Sequence, residues 1–110
     1  MENNDRSAIY KLHADFCKIL ADTSRLLIIM ELNSGETSVN ELARRLNLQQ
    51  SNVSKHLSLM RDHGLVNSRR DGATIYYSVS DTRIFAAIKL LREVQNDQIE
   101  KRSLLTRSNR

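Results

Sequence analysis

The chain has 110 residues, with 17 Lys and Arg against 13 Asp and Glu, one Cys and no Trp. That length fits one domain, and an aromatic content of 5% excludes a base-stacking platform for single strands, which needs rings under successive bases. The net charge of +4 is uneven: residues 1–36 carry a net −2, while 37–80 and 81–110 carry +3 each, so the basicity that favours a polyanionic partner lies in the middle and the tail.

A lone Cys17 cannot close an intrachain disulfide, and the polar start MENNDRSAIY is not a signal peptide. The longest apolar run, Leu26 to Met30, is far too short to span a bilayer. A cytoplasmic protein without membrane contact is expected.

In chain order, Ile9, Leu12, Phe16, Ile19 and Leu20 recur at helical spacing, predicting a first amphipathic helix over about 8–20. Asp22 or Thr23 can cap a second helix running through Leu26, Leu27, Ile29 and Met30 to Leu32, closed by Asn33-Ser34-Gly35. Ser38 and Glu41 have capping-box spacing and open a short third helix carrying Val39, Leu42, Ala43 and Leu46. Asn47, which tolerates the left-handed conformation, turns the chain into a fourth helix from about Gln50 to His63, and Gly64 is placed as its left-handed cap.

The period then shortens to two. Leu65–Arg70 and Ala73–Val79 predict two strands joined through Asp71-Gly72, a two-residue hairpin signal. Asp81 or Thr82 caps a last helix over about 82–100 bearing Ile84, Phe85, Ile88, Leu91 and Val94, and the basic tail 101–110 is expected to fray. The fold predicted for residues 1–110 is a mainly helical α+β winged helix-turn-helix domain of order α-α-α-α-β-β-α.

At 100° per residue, Val53, Leu57 and Met60 share one sector of the fourth helix, which must pack inward. Ser51, Ser54, Lys55 and Ser58 cluster opposite. Small hydroxyl side chains let a helix backbone sit deep in a major groove and bond base edges or phosphates, and Gln50 adds an amide suited to adenine. The plainer alternative is a solvated helix face. Arg69 and Arg70 at the hairpin tip suit phosphates or a minor groove, or they simply protect an edge strand. Arg44 and Arg45 either flank the DNA backbone or form a solvent face. Of Tyr76 and Tyr77, alternation puts one ring in the core and the other on the wing surface.

Taken together, Leu20–Leu26, Thr37–Ala43, Gln50–Leu57, Gly64-Leu65-Val66, Arg69–Gly72 and Ile75-Tyr76-Tyr77 resemble the ArsR/SmtB family of repressors, with the likeness running from about Ile9 to Val79. The resemblance implies a homodimer on double-stranded DNA, joined through the first and last helices. Ile9, Leu12, Phe16, Ile84, Ile88 and Leu91 are the candidate interface residues. It also implies that Gln50, Ser51, Ser54 and Lys55 face the major groove, with Arg69 and Arg70 on the wing and His56 structural. Thr23 stands where many relatives have Pro, and Gln49 where many have a Ser cap.

Family sensors often carry a Cys-x-Cys near the third helix or Asp and His ligands on the last. Here Glu36–Asn40 holds no thiol and Asp81–Glu100 no His, so no metal cofactor is expected at either place. His13 and Cys17, four residues apart, could supply a Cys₂His₂ set only if a dimer brings two pairs together. The plainer reading is a buried thiol and a surface imidazole. The inducing signal is not identified by these residues.

Other classes of function fit less well. An enzyme is not supported, because no catalytic triad order, P-loop or dinucleotide Gly pattern is present. A winged helix used for protein contact would favour an apolar recognition face. A thiol-responsive regulator acting through Cys17 would need a lowered thiol pKa. Operator binding by a dimeric repressor fits best.

Overall fold

The computed structural model describes residues 2–108, with side chains for 5–106. The chain forms α1 (Glu2–Ile19), α2 (Thr23–Glu31), a 3₁₀ turn (Leu32–Ser34), β1 (Thr37–Ser38), α3 (Val39–Leu46), α4 (Gln50–Asp62), β2 (Val66–Asp71), β3 (Thr74–Val79) and α5 (Arg83–Ser108). This is a mainly helical winged helix-turn-helix with a small antiparallel sheet, ordered β1-β3-β2.

Local chemistry sets the boundaries. The Asp22 carboxylate accepts from the Arg25 N–H and caps α2. The Ser38 hydroxyl accepts from the Glu41 N–H and caps α3. The expected capping box is only half made, because the Glu41 carboxylate turns to Arg44 and Arg45 instead of back to Ser38.

Asn47 is left-handed, with φ 54°, and the Leu48 N–H closes on the Ala43 carbonyl at 3.0 Å. Gly64, with φ 77°, ends α4 in the same manner. Its N–H reaches the Arg61 carbonyl and the Leu65 N–H reaches Met60. That pair of bonds is the Schellman closure, which satisfies carbonyls the helix itself leaves unpaired.

Four details differ from the sequence reading. An extra edge strand, β1, pairs with β3 through Thr37–Tyr77 and Ser38–Tyr76; two residues are too few to show a period. The hairpin turn is Gly72-Ala73 and not Asp71-Gly72, because Asp71 still pairs with Thr74. Positive φ occurs there only at Gly72, the pattern of a type II′ turn. The first helix begins at Glu2 rather than near residue 8. The tail does not fray after residue 100, since α5 continues to Ser108. No Gly or Pro follows Gly72 to stop it. Residues 109–110 of that expected frayed tail lie outside the described residues.

The core comprises Ile28, Ile29 and Leu32 from the α2 segment, Leu42 and Ala43 from α3, and Val53, Leu57 and Met60 from α4. Leu65, Val66 and Tyr77 join it from the sheet side. Ile84, Phe85 and Ile88 of α5 pack on its edge. By contrast, α1 and most of α5 reach beyond this core. The radius of gyration is 17.7 Å, against about 13 Å for a compact chain of this size.

Candidate nucleic-acid interface

The sector argument for α4 holds. Val53, Leu57 and Met60 are fully buried, while Gln50, Ser51, Ser54 and Lys55 are exposed. Ser58 is half-buried, one turn deeper into the body than the other hydroxyls. Gln49 occupies the N-cap without a side-chain hydrogen bond, so the Gln49 side chain does not satisfy the first N–H groups of α4.

Gln50 and Ser54 line a shallow cleft of about 180 Å³ together with Ser38, Asn40, Ala73 and Thr74. The cleft brings the first turn of α4, the start of α3 and the hairpin turn onto one surface. Asn40 and Thr74 were not singled out by the sequence; their positions follow from how β1 and β3 pair, which no local pattern reveals.

The cations of this region differ in their commitments. Arg44 and Arg45 both bond the Glu41 carboxylate, with Nε atoms at 3.1 and 3.0 Å. Arg45 also reaches the Ser34 hydroxyl. Those hydrogen bonds hold the Glu41 carboxyl down at about 2. The i,i+3 and i,i+4 spacing of Glu41, Arg44 and Arg45 would have signalled this.

Arg69 lies over the Tyr76 ring, 5.0 Å from its centroid. It also grips Glu36 with Nη2 at 2.7 Å and Nε at 3.1 and 3.2 Å from the two carboxylate oxygens. Those bonds lower the Glu36 pKa and raise that of Arg69. Among the described residues, Lys55 and Arg70 make no ion pair. Tyr77 is buried and Tyr76 half-buried, which assigns the core ring and the wing ring.

His56 is half-buried beside Arg25, with Nδ1 3.4 Å from the guanidinium. His13 and Cys17 do face each other on α1, at 3.6 Å, but both are exposed. The expectation of a buried thiol is therefore corrected: α1 lies outside the core, and the chain itself covers little of it. Among the described residues no three His, Cys, Asp or Glu side chains gather into a metal-sized group. No helix is long and apolar enough to cross a membrane.

The candidate interface residues divide. Ile9, Leu12, Phe16 and Leu91 are exposed, by 65, 70, 39 and 71%. Ile84 and Ile88 instead pack on the chain's own core. Leu90, Leu91 and Val94, further along α5, are exposed. Leu91 is one turn past Ile88 and within about 60° of it about the axis, so the apolar stripe runs on past the core.

Residues 22–68 match the pattern of bacterial regulatory proteins of the arsR family. The chain is 40% identical over 94 residues to the transcriptional activator HlyU of Vibrio cholerae, covering 86% of this chain and 82% of that protein. Among solved structures, it superposes on Rv0081 of Mycobacterium tuberculosis with a TM-score of 0.77 at 35% identity, covering 86% and 95% of the two chains. It also superposes on Mb0332 of Mycobacterium bovis, described as a homodimeric winged helix-turn-helix DNA-binding domain, with a TM-score of 0.73 at 27% identity and 84% and 85% coverage. With the capped turn, recognition helix and wing in place, this chain belongs to the ArsR family of winged helix-turn-helix transcriptional regulators.

Proposed function

We propose that the protein is a homodimeric repressor that occupies a palindromic operator in double-stranded DNA and is released by a signal still to be identified. The observation that carries the reading is the shared surface of α4 and the wing, where Gln50, Ser54 and the hairpin turn line one cleft. Gln50, Ser51 and Ser54 read base edges, while Lys55 and Arg70 neutralise phosphates. Ser58, half-buried, makes at most a peripheral contact. Arg44 and Arg45 flank the DNA backbone as a pair already balanced in part by Glu41.

Pairing of two chains is supported by the surplus apolar surface of α1 and α5 and by the homodimeric relative. Two recognition helices then address half-sites about 34 Å apart. With Lys55 and Arg70 as the uncommitted cations of this surface, log K falls with log salt at a slope near −3.6, or about −0.9 per phosphate. A third contact per chain, from Arg69, would give about −5.

The test is a gel shift against the DNA upstream of the chain's own coding region, with Ser54→Glu as the comparison. The wild type should shift the duplex. The variant should not, while its circular dichroism stays unchanged, because its carboxylate meets phosphates and base edges. Retained binding by the variant would mean that another face reads DNA. A reporter driven by the same upstream region separates repression from activation, the role that HlyU is named for.

A further inference from the structure

The Glu36–Arg69 pair, on the proposed DNA-facing side, ties residues 33 positions apart in sequence. Glu36 lies just before β1, and Arg69 on β2 pairs in register with Tyr76 of the central strand β3. The Arg69 side chain crosses over Tyr76 and ends on the Glu36 carboxylate, so it spans the width of the sheet. Its Nε and Nη2 are both committed to that carboxylate.

We propose that Glu36 sets the DNA affinity of this protein by masking the wing arginine, leaving Lys55 and Arg70 as its effective phosphate contacts. The inference rests on the DNA-binding reading above. Its reasoning is electrostatic. Affinity for a duplex grows with the number of phosphates that protein cations neutralise and the counterions thereby released. Arg69 and Glu36 together carry no net charge, so the pair releases no counterion on balance. This remains true if the guanidinium swings to a phosphate, because the carboxylate then stands beside the same polyanion and repels it.

The pair is also built to give way. Side-chain exposures of 54% for Arg69 and 38% for Glu36 keep it in contact with water, where an ion pair is weak. The planar fork that meets a carboxylate also fits a phosphate. Glu36 therefore acts as a positioning residue that holds one cation per chain in reserve. The result is a regulator whose binding is weaker, and less sensitive to salt, than its count of wing arginines implies.

The experiment measures the affinity of wild type, Glu36→Gln and the Glu36→Gln/Arg69→Gln double variant for the upstream duplex by fluorescence anisotropy. Salt is varied from about 50 to 200 mM. The amide removes the charge and keeps the shape, and melting curves confirm that each variant stays folded. Glu36→Gln should bind more tightly at low salt, with a slope steeper by about 1.8 for two chains. Across that range it should lose about twelvefold more affinity than wild type does. The double variant should return to the wild-type slope, which identifies Arg69 as the cation released.

If the wild type binds and Glu36→Gln has an equal slope, the proposal is overturned while the DNA-binding reading stands. A shallower slope or weaker binding overturns it as well, since Glu36 would then be aiming Arg69 at the DNA. A wild type that binds no duplex overturns both.

Discussion

The guanidinium of Arg25 on α2 sits 3.4 Å from Nδ1 of His56 on α4, while its Nε donates to the Ile19 carbonyl at the end of α1. One half-buried side chain thus joins three helices, and its donors satisfy a carbonyl that α1 leaves unpaired at its end. Arg25→Leu keeps an apolar stem but removes every donor. It should lower stability by roughly 1–2 kcal/mol, the range for a lost hydrogen bond with its partners left partly buried. Urea melts check this, and an unchanged midpoint would show that the link carries nothing.

The two left-handed turns make a paired prediction. At Gly64 an added Cβ meets nothing within 4 Å, so Gly64→Ala tests the backbone alone. With φ at 77°, the substitution should cost about 1–2 kcal/mol. Asn47→Gly should leave stability nearly unchanged, because glycine adopts the same conformation freely. Asn47→Val should cost more than either, since a branched Cβ is disfavoured at positive φ. Thermal melts of the three variants give the order directly.

Acid should weaken the fold through two half-buried carboxylates. The side-chain hydrogen bonds from Arg44 and Arg45 bring Glu41 from 4.5 to about 2, and those of Arg83 bring Asp81 from 3.8 to about 2. A carboxylate whose pKa is depressed by folding stabilises the native state above its ordinary value. That contribution drains away as the pH falls toward the depressed one. Stability should therefore decline between about pH 4.5 and 2, and Glu41→Gln should make that decline shallower. Denaturant melts across the range check the slope.

Two stretches of α5 can be separated by mutation. Leu91→Glu, exposed one turn beyond the core contact, should leave a folded monomer by sedimentation, with helical circular dichroism retained. Ile88→Ala, on the face packed against the core, should instead lower stability by about 1–2 kcal/mol; full burial would raise that figure to 2–5. Equal effects from both substitutions would contradict the division of the helix.

Lys55→Gln should flatten the salt dependence of DNA binding by about 1.8 for two chains. Arg44→Gln should change it far less, because Glu41 and Glu31 between them offset the charges of Arg44 and Arg45. Anisotropy titrations at several salt concentrations distinguish the two.

Much of this was legible in the sequence because the signals are local. Asp22, Ser38, Asn47 and Gly64 each act through backbone groups within a few residues, and Val53, Leu57 and Met60 fall on one sector by simple periodicity. The rest depends on pairing across distance. A two-residue β1 is defined only by its partners Tyr76 and Tyr77. The turn moved by one residue because Asp71 found a partner in Thr74. Arg69 reads as a bare wing cation until β1 carries Glu36 to it from 33 positions away. The Glu41 cluster was within reach of spacing rules, whereas the exposure of Cys17 depends on α1 standing clear of the core.

The surplus apolar face of α1 and α5 finally bears on dosage. When pairing precedes DNA binding and most chains are single, the concentration of the binding species follows the square of the amount of protein. Halving the cellular supply would then cut operator occupancy to about a quarter at the dilute limit. A helix whose apolar stripe outruns its own core would thus give the promoter a threshold response, with no ligand required to create it.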